Sequence, residues 1–105
     1  MSIDRYYTTE VSVKGLTPIA GTDKETFAVK IAELFCRIEP QGEEPVMLGD
    51  GGYFYLFKMW CEEIDIMTGD QVISGETIYI VKGVSEIKAA GEDVHHLEIS
   101  LAVPK

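Results

Sequence analysis

The chain has 105 residues, with 9 Lys and Arg against 18 Asp and Glu, a formal net charge of −9. A chain of this length buries roughly two thirds of the surface its unfolded form exposes, enough for one core, so residues 1–105 are expected to form one domain. The 46% hydrophobic and 26% charged content excludes disorder and collagen, and the acidic balance excludes a module that coats DNA or RNA through a basic stripe.

The amino terminus, Met1-Ser2-Ile3-Asp4-Arg5-Tyr6-Tyr7, lacks the basic start, apolar stretch and small-residue cleavage site of a secretory signal, so synthesis in the cytoplasm is expected. In Thr9-Glu10-Val11-Ser12-Val13-Lys14 apolar and polar residues alternate, which predicts a half-buried strand ended by Gly15 and Pro18. After a polar, turn-rich stretch, residues 27–39 mix two periods. Phe27, Ile31 and Leu34 fit one face of a short helix, whereas Glu33 to Glu39 alternates as a strand, so the first half is open between the two. Residues 40–52 hold four Gly and two Pro and predict one long loop without structure of its own, a length more often functional than accidental.

Tyr53-Phe54-Tyr55-Leu56-Phe57-Lys58-Met59-Trp60-Cys61 reads as a long central strand covered on both faces for part of its length. It is also the longest apolar run, and Lys58 cuts it far short of the roughly 18 residues that span a bilayer, so no membrane segment is expected. Short strands follow at Ile64-Asp65-Ile66 and Gln71-Val72-Ile73, with turns at Thr68-Gly69-Asp70 and Ser74-Gly75-Glu76. The run from Thr77 to Val84 predicts a further strand, with Tyr79 and Val81 on one face, Ile78 and Ile80 on the other, and both faces partly buried. A last strand runs from His95 to Val103, after a turn at Ala89-Ala90-Gly91-Glu92-Asp93. Six or more short strands with at most one short helix predict an all-β fold, a small barrel or a sandwich, because closing the sheet removes its unpaired edges.

Chemistry-bearing patterns are few. Cys36 and Cys61 sit inside apolar runs and read as buried thiols, with no helix start or turn to lower a thiol pKa for nucleophilic catalysis. No short-spaced ligand pair nucleates a metal site, and His95 and His96, adjacent on a strand, point to opposite faces. Glu43-Glu44, Glu62-Glu63 and Glu92-Asp93 read as solvated turn charge, and Gly49-Asp50-Gly51-Gly52 lacks the Lys-Ser/Thr and helix of a phosphate cradle. No catalytic residue, cofactor or metal is expected, and the chain is not expected to be an enzyme.

The Gly69-Asp70 turn, Gly75 leading into a strand with Tyr79 and Val81, the Val81-Lys82-Gly83-Val84 bend, and a final strand opening with His96-Leu97-Glu98 carry a resemblance. Together with Cys36-Arg37-Ile38-Glu39-Pro40 they resemble the head-closure (stopper) proteins of the tailed-phage head-to-tail connector. The resemblance implies a structural role for Gly69, Asp70, Gly75, Tyr79, Val81, His96 and Leu97 in a small barrel. It further implies a ring of many copies between a portal or adaptor ring and the tail-completion protein. One extended loop of each copy would reach inward to plug the channel that encapsidated DNA passes through without sequence-specific binding. The loop that suits this task is residues 41–52, with Gln41, Gly42, Glu43, Glu44, Met47, Gly49, Asp50 and Gly51 as the candidate plug residues. Acids lining such a passage would weaken sticking to the DNA backbone. Assembly in the host cytoplasm and residence in the virion follow from the same resemblance. The alternatives are a tail-completion or capsid-decorating protein of similar topology, and a small ligand-binding barrel or enzyme that uses the aromatic strand at 53–60 as a pocket wall.

Overall fold

Side-chain alternation decides which residues of each strand face the interior, and the strands here alternate around one closed surface. The computed structural model describes residues 7–49, 51–88 and 94–105, with Val94 and His95 described by backbone alone. The turn expected at residues 89–93, the side chain of His95 and the residue Asp50 therefore lie outside the described residues. The strands are β1 (Thr9–Pro18), β2 (Glu25–Pro40), β3 (Val46–Met47), β4 (Tyr53–Cys61), β5 (Gln71–Ser74), β6 (Thr77–Lys88) and β7 (Val94–Pro104). Every pairing is antiparallel, in the order β2-β1-β5-β6-β7-β4, and β4 returns to β2. The fold is the all-β barrel expected, six strands closed on themselves with β3 as an extra strand against β4.

Val11, Val13, Leu34, Cys36, Met59, Cys61, Val72, Val81, Leu97, Ile99 and Leu101 fill the interior from all six barrel strands. Phe57 and Tyr79 meet edge to face there, with ring centroids 5.1 Å apart. The closing β2–β4 ladder is short, running from Arg37 opposite Trp60 to Pro40 opposite Phe57, whereas β4 follows β7 from Phe54 to Cys61. Strand directions place the β1–β2 hairpin, the end of β6, the start of β7 and residues 62–70 at one end of the barrel. Residues 41–52, the β5–β6 turn and the end of β7 lie at the other.

Several expectations are corrected by this arrangement. The choice open between helix and strand at residues 27–34 falls to strand throughout, part of the 16-residue β2, because β1 offers a pairing edge along their whole length. β1 does not stop at Gly15 but pairs through to Pro18, opposite Glu25. Ile64-Asp65-Ile66 is not a strand. It lies in the segment crossing the barrel end, where Ile66 is buried in the core and Ile64 packs against it, so the alternation reflects a plug of the barrel mouth with no ladder beside it. Residues 41–52 are not wholly without structure, since Val46 and Met47 pair with Phe54 and Tyr53. The outward face of β6 is less covered than expected, with Ile78 exposed, because in a closed single-layer barrel only one face of each strand meets the core.

Two register shifts lie between β1 and β2, around Val13, and each leaves an extra residue on β2. Each bulge reverses the side-chain alternation, so the first brings Ile31 to the core and the second restores the phase beyond it. Ile31 packs against the core while Val29 and Phe27 are 58% and 37% exposed, and Lys30 turns inward. Its stem lies across Gly15, where a Cβ would stand 2.5 Å from Lys30 Cδ. Its ammonium donates to Asp70 Oδ2 at 2.8 Å, and Asp70 is the buried charged residue of the described structure.

Asp70 is held from several sides. Its Oδ2 also accepts from the Met67 N–H at 3.0 Å, its own N–H donates to the Met67 carbonyl at 3.1 Å, and its carbonyl accepts from the Val81 N–H at 2.9 Å. Gly69 closes this turn at φ 98°, the left-handed third position that a type II turn requires. Removing one partner of a buried pair strands the other, so Asp70→Ala is expected to cost about 3 kcal/mol in urea denaturation. Gly15→Ala is expected to cost about 1–3 kcal/mol by displacing the Lys30 stem, and little when Lys30 is already Ala, a non-additivity that a double-mutant cycle would read.

Candidate interaction surfaces at the barrel ends

Each end of the barrel carries its own kind of surface. At the first, β1 and β2 run past the barrel as a hairpin whose exposed face holds Leu16 directly opposite Phe27, with Val29 beside them and Ile19 exposed in the following turn. That turn is held by the Ile19 N–H donating to the Lys24 carbonyl at 2.9 Å and by the Thr22 hydroxyl donating to the Ile19 carbonyl at 3.0 Å. No part of the sequence reading singled out this apolar face. Its available signal was alternation counted back from Leu34, Cys36 and Ile38, which puts Phe27 and Val29 on the outer face.

The second end is formed by residues 41–52. The Gln41 N–H donates to the Leu56 carbonyl at 2.8 Å, so the loop leaves directly from the closing β2–β4 seam. Gln41, Gly42, Glu43 and Glu44 are exposed, and Gly42 has φ 112°. The chain then folds back through β3 and a glycine turn, in which the Leu48 N–H donates to the Gly52 carbonyl at 3.2 Å and the Gly51 N–H to the Leu48 carbonyl at 3.1 Å. Gly49 and Gly52 take positive φ there, and Gly51 lies over the Phe54 ring. Met47 and Tyr53, paired across the β3–β4 ladder, are 59% and 52% exposed. Of the candidate plug residues, the described ones thus share one exposed projection. It combines a two-glutamate stretch with an apolar rim of Val46, Met47 and Tyr53.

The motif residues are built into the barrel frame. Gly75, at φ 59°, opens the two-residue β5–β6 turn in the first central position of a type II′ geometry. Val81 is fully buried and its carbonyl accepts from the Gly69 N–H at 2.9 Å. Tyr79 packs on Phe57, and burial first, then Cys36, raises its phenol pKa. Leu97 is buried opposite Cys61, while His96 is half-buried opposite Ile87. The sequence did not reveal that Asp70 is an ion-pair partner as well as a turn residue, because Lys30 is 40 residues away.

Both cysteines are fully buried free thiols. Burial pushes the Cys36 thiol from 9.0 up to about 12, and it does the same to Cys61, with Cys36 and Glu62 adding to the rise. A thiol so placed is neutral at physiological pH and shielded from reagents. Among the described residues no three His, Cys, Asp or Glu side chains gather as a metal cage, and no helix is long and apolar enough to cross a membrane.

No protein-family model matches the chain, and no curated protein does. Among solved structures, a chain of the virion of a native gene transfer agent particle has a similar fold, with a TM-score of 0.67 at 12% sequence identity. The match covers 92% of this chain and 94% of that one.

The raised thiol pKa values carry a pH dependence. Because the folded thiols hold their protons up to about 12 and the unfolded ones only to 9.0, stability is fully present below pH 9.0 and declines as pH rises through that window. Urea midpoints measured from pH 8 to 11 are expected to fall more steeply for the parent than for the Cys36→Ala, Cys61→Ala double variant. At neutral pH a thiol-reactive disulfide reagent is expected to react with both cysteines far more slowly in the folded chain than in the unfolded one.

Proposed function

We propose that the chain is a structural protein of a tailed-phage or phage-like virion, and within it a head-closure protein of the head-to-tail connector. Its work is assembly and not catalysis. The observation that carries the coarser reading is the near full-length likeness of its barrel to a chain of a gene transfer agent virion. The finer reading rests on the resemblance of the Gly69-Asp70, Tyr79-x-Val81 and His96-Leu97-Glu98 motifs to head-closure proteins. Two geometric features suit it.

The first is polarity. A piece placed between two different neighbours needs two unlike ends, and here an apolar hairpin face with Leu16, Phe27 and Val29 stands opposite a projection with Glu43, Glu44, Met47 and Tyr53. In this reading copies of the chain stand in a ring, one end toward the portal or adaptor and the other toward the tail-completion protein. The second is the projection at residues 41–52, rooted on the β2–β4 seam and extending beyond the barrel strands. A loop rooted on a rigid ladder holds its position, and its glycines leave its tip able to move between open and closed arrangements. Its glutamates discourage lasting contact with DNA phosphates, which suits a gate on a passage.

The test is a particle assembled with a loop-shortened variant. Replacing residues 43–51 by a Gly-Ser-Gly bridge is expected to leave the barrel folded, with an unfolding free energy in urea unchanged to within about 1 kcal/mol, since surface loop length contributes little to stability. Particles carrying it are expected to package DNA and then lose it, or to fail to join tails. Full yields of infectious particles would move the working surface elsewhere on the barrel, and a chain absent from purified particles would remove the virion reading altogether.

A further inference from the structure

The ladder that closes the barrel brings its two cysteines into register. β2 and β4 pair Arg37 with Trp60, Ile38 with Met59, Glu39 with Lys58 and Pro40 with Phe57, and one further step sets Cys36 opposite Cys61. The hydrogen-bonding phase of this seam follows from one contact. The Gln41 N–H donates to the Leu56 carbonyl, which makes that opposed pair a hydrogen-bonded one. Alternation then makes Pro40 and Phe57 a non-hydrogen-bonded pair, as a residue without an N–H requires, and likewise Ile38 with Met59 and Cys36 with Cys61. Opposed residues of that type have Cα atoms about 4.5 Å apart with side chains on one face. This lies inside the range of roughly 4.4–6.8 Å that a disulfide bridges. Both side chains belong to the barrel core, so both point to the interior face of the seam.

We propose that Cys36 and Cys61 are a latent cross-strand disulfide site whose oxidation staples the closing β2–β4 seam, with a low-molecular-weight disulfide such as oxidised glutathione as the co-substrate. The inference stands on the register alone and does not depend on the assembly role. One cysteine, as thiolate, attacks a sulfur of the glutathione disulfide and displaces one glutathione thiolate, leaving a mixed disulfide. The second cysteine attacks the protein sulfur of that intermediate, forms the Cys36–Cys61 bond and displaces the second glutathione. The two protons lost by the cysteines end on the two glutathione thiols, and the two electrons taken from the protein reduce one disulfide to two thiols. Burial of both sulfurs and their high pKa make the folded pair slow to react, so oxidation proceeds through opening of the seam, a short ladder that runs only from Arg37 to Pro40 on β2. Once formed, the bond ties the root of residues 41–52 covalently to the frame.

The full chain is incubated with excess oxidised glutathione in urea well below its unfolding midpoint, quenched in acid, and examined by intact mass and peptide mapping. The expected product is a monomer lighter by two hydrogen atoms, with a cross-linked peptide pair containing Cys36 and Cys61. Its urea midpoint lies above that of the reduced protein and returns on reduction. Cys61→Ser is expected to stop at a glutathione adduct on Cys36 with no loss of two hydrogens. Stable glutathione adducts on both cysteines of the parent chain, or disulfide-linked dimers as the sole products, would overturn the juxtaposition. A linked monomer with a midpoint at or below the reduced one would overturn the staple. Neither result depends on the serine variant folding.

Discussion

The contact between Lys30 and Asp70 is the constraint on which the barrel end carrying residues 62–70 depends. A carboxylate removed from water is costly unless its oxygens are met, and Asp70 is met by an ammonium from β2 and an amide from its own turn. Because its backbone also pairs with Val81, the same residue fixes how the segment crossing the barrel mouth enters β5 and where β6 lies against it. Gly15 belongs to this arrangement through what it lacks, since the Lys30 stem occupies the space a methyl group would take. Four strands, β1, β2, β5 and β6, therefore share one polar anchor in an otherwise apolar interior. Asp65, 3.7 Å from the same ammonium but largely exposed, adds little, because water screens it.

Local pattern made the barrel legible where it coincided with local chemistry. Thr9 to Lys14 and Gln71 to Ile73 alternate cleanly, and Gly75 marks a turn whose geometry needs a positive φ, so these elements lie where alternation and turn residues place them. Local pattern ran out where a distant partner decided the outcome. Residues 27–34 carry both helical and strand periods, and what selects strand is the edge of β1, which no window around Phe27 contains. Ile64 and Ile66 alternate as a strand does, yet they close a mouth, because no free edge lies beside them. At the candidate site, the glycine-rich loop was visible from composition, whereas the β3 pairing inside it involves only Val46 and Met47 and leaves too short a pattern to read. The apolar hairpin face was passed over because residues 27–34 carry two periods, although alternation counted back from Leu34 and Cys36 puts Phe27 and Val29 outside.

The seam between β2 and β4 joins the two halves of the molecule's behaviour. It is the ladder that turns a curved sheet into a barrel, and it is also the root of the projecting loop. On its outer side Arg37 pairs with Glu39, while Trp60 donates to Glu98 at 2.9 Å and couples β4 to β7. On its inner side Met59 and the two cysteines are fully buried. Strain applied to the loop therefore passes into closely packed core, which resists small deformation and responds to larger displacement by opening.

The bulges of β2 mean that the exposed hairpin face is set by counting and not by composition. The two extra residues near Val13's partners cancel in phase, so Ile31 turns in between them, while Lys30 keeps the inward parity of Leu34 and Cys36 and Val29 and Phe27 stay outside. Substitutions in this stretch alter one side chain at a time and leave the frame intact. A single-residue deletion there removes half of a cancelling pair, so that either Ile31 loses its place in the core or the strand slips by one against β1 and Lys30 is drawn away from Asp70. The gene encoding such a strand can therefore drift widely in letters, but hardly at all in length.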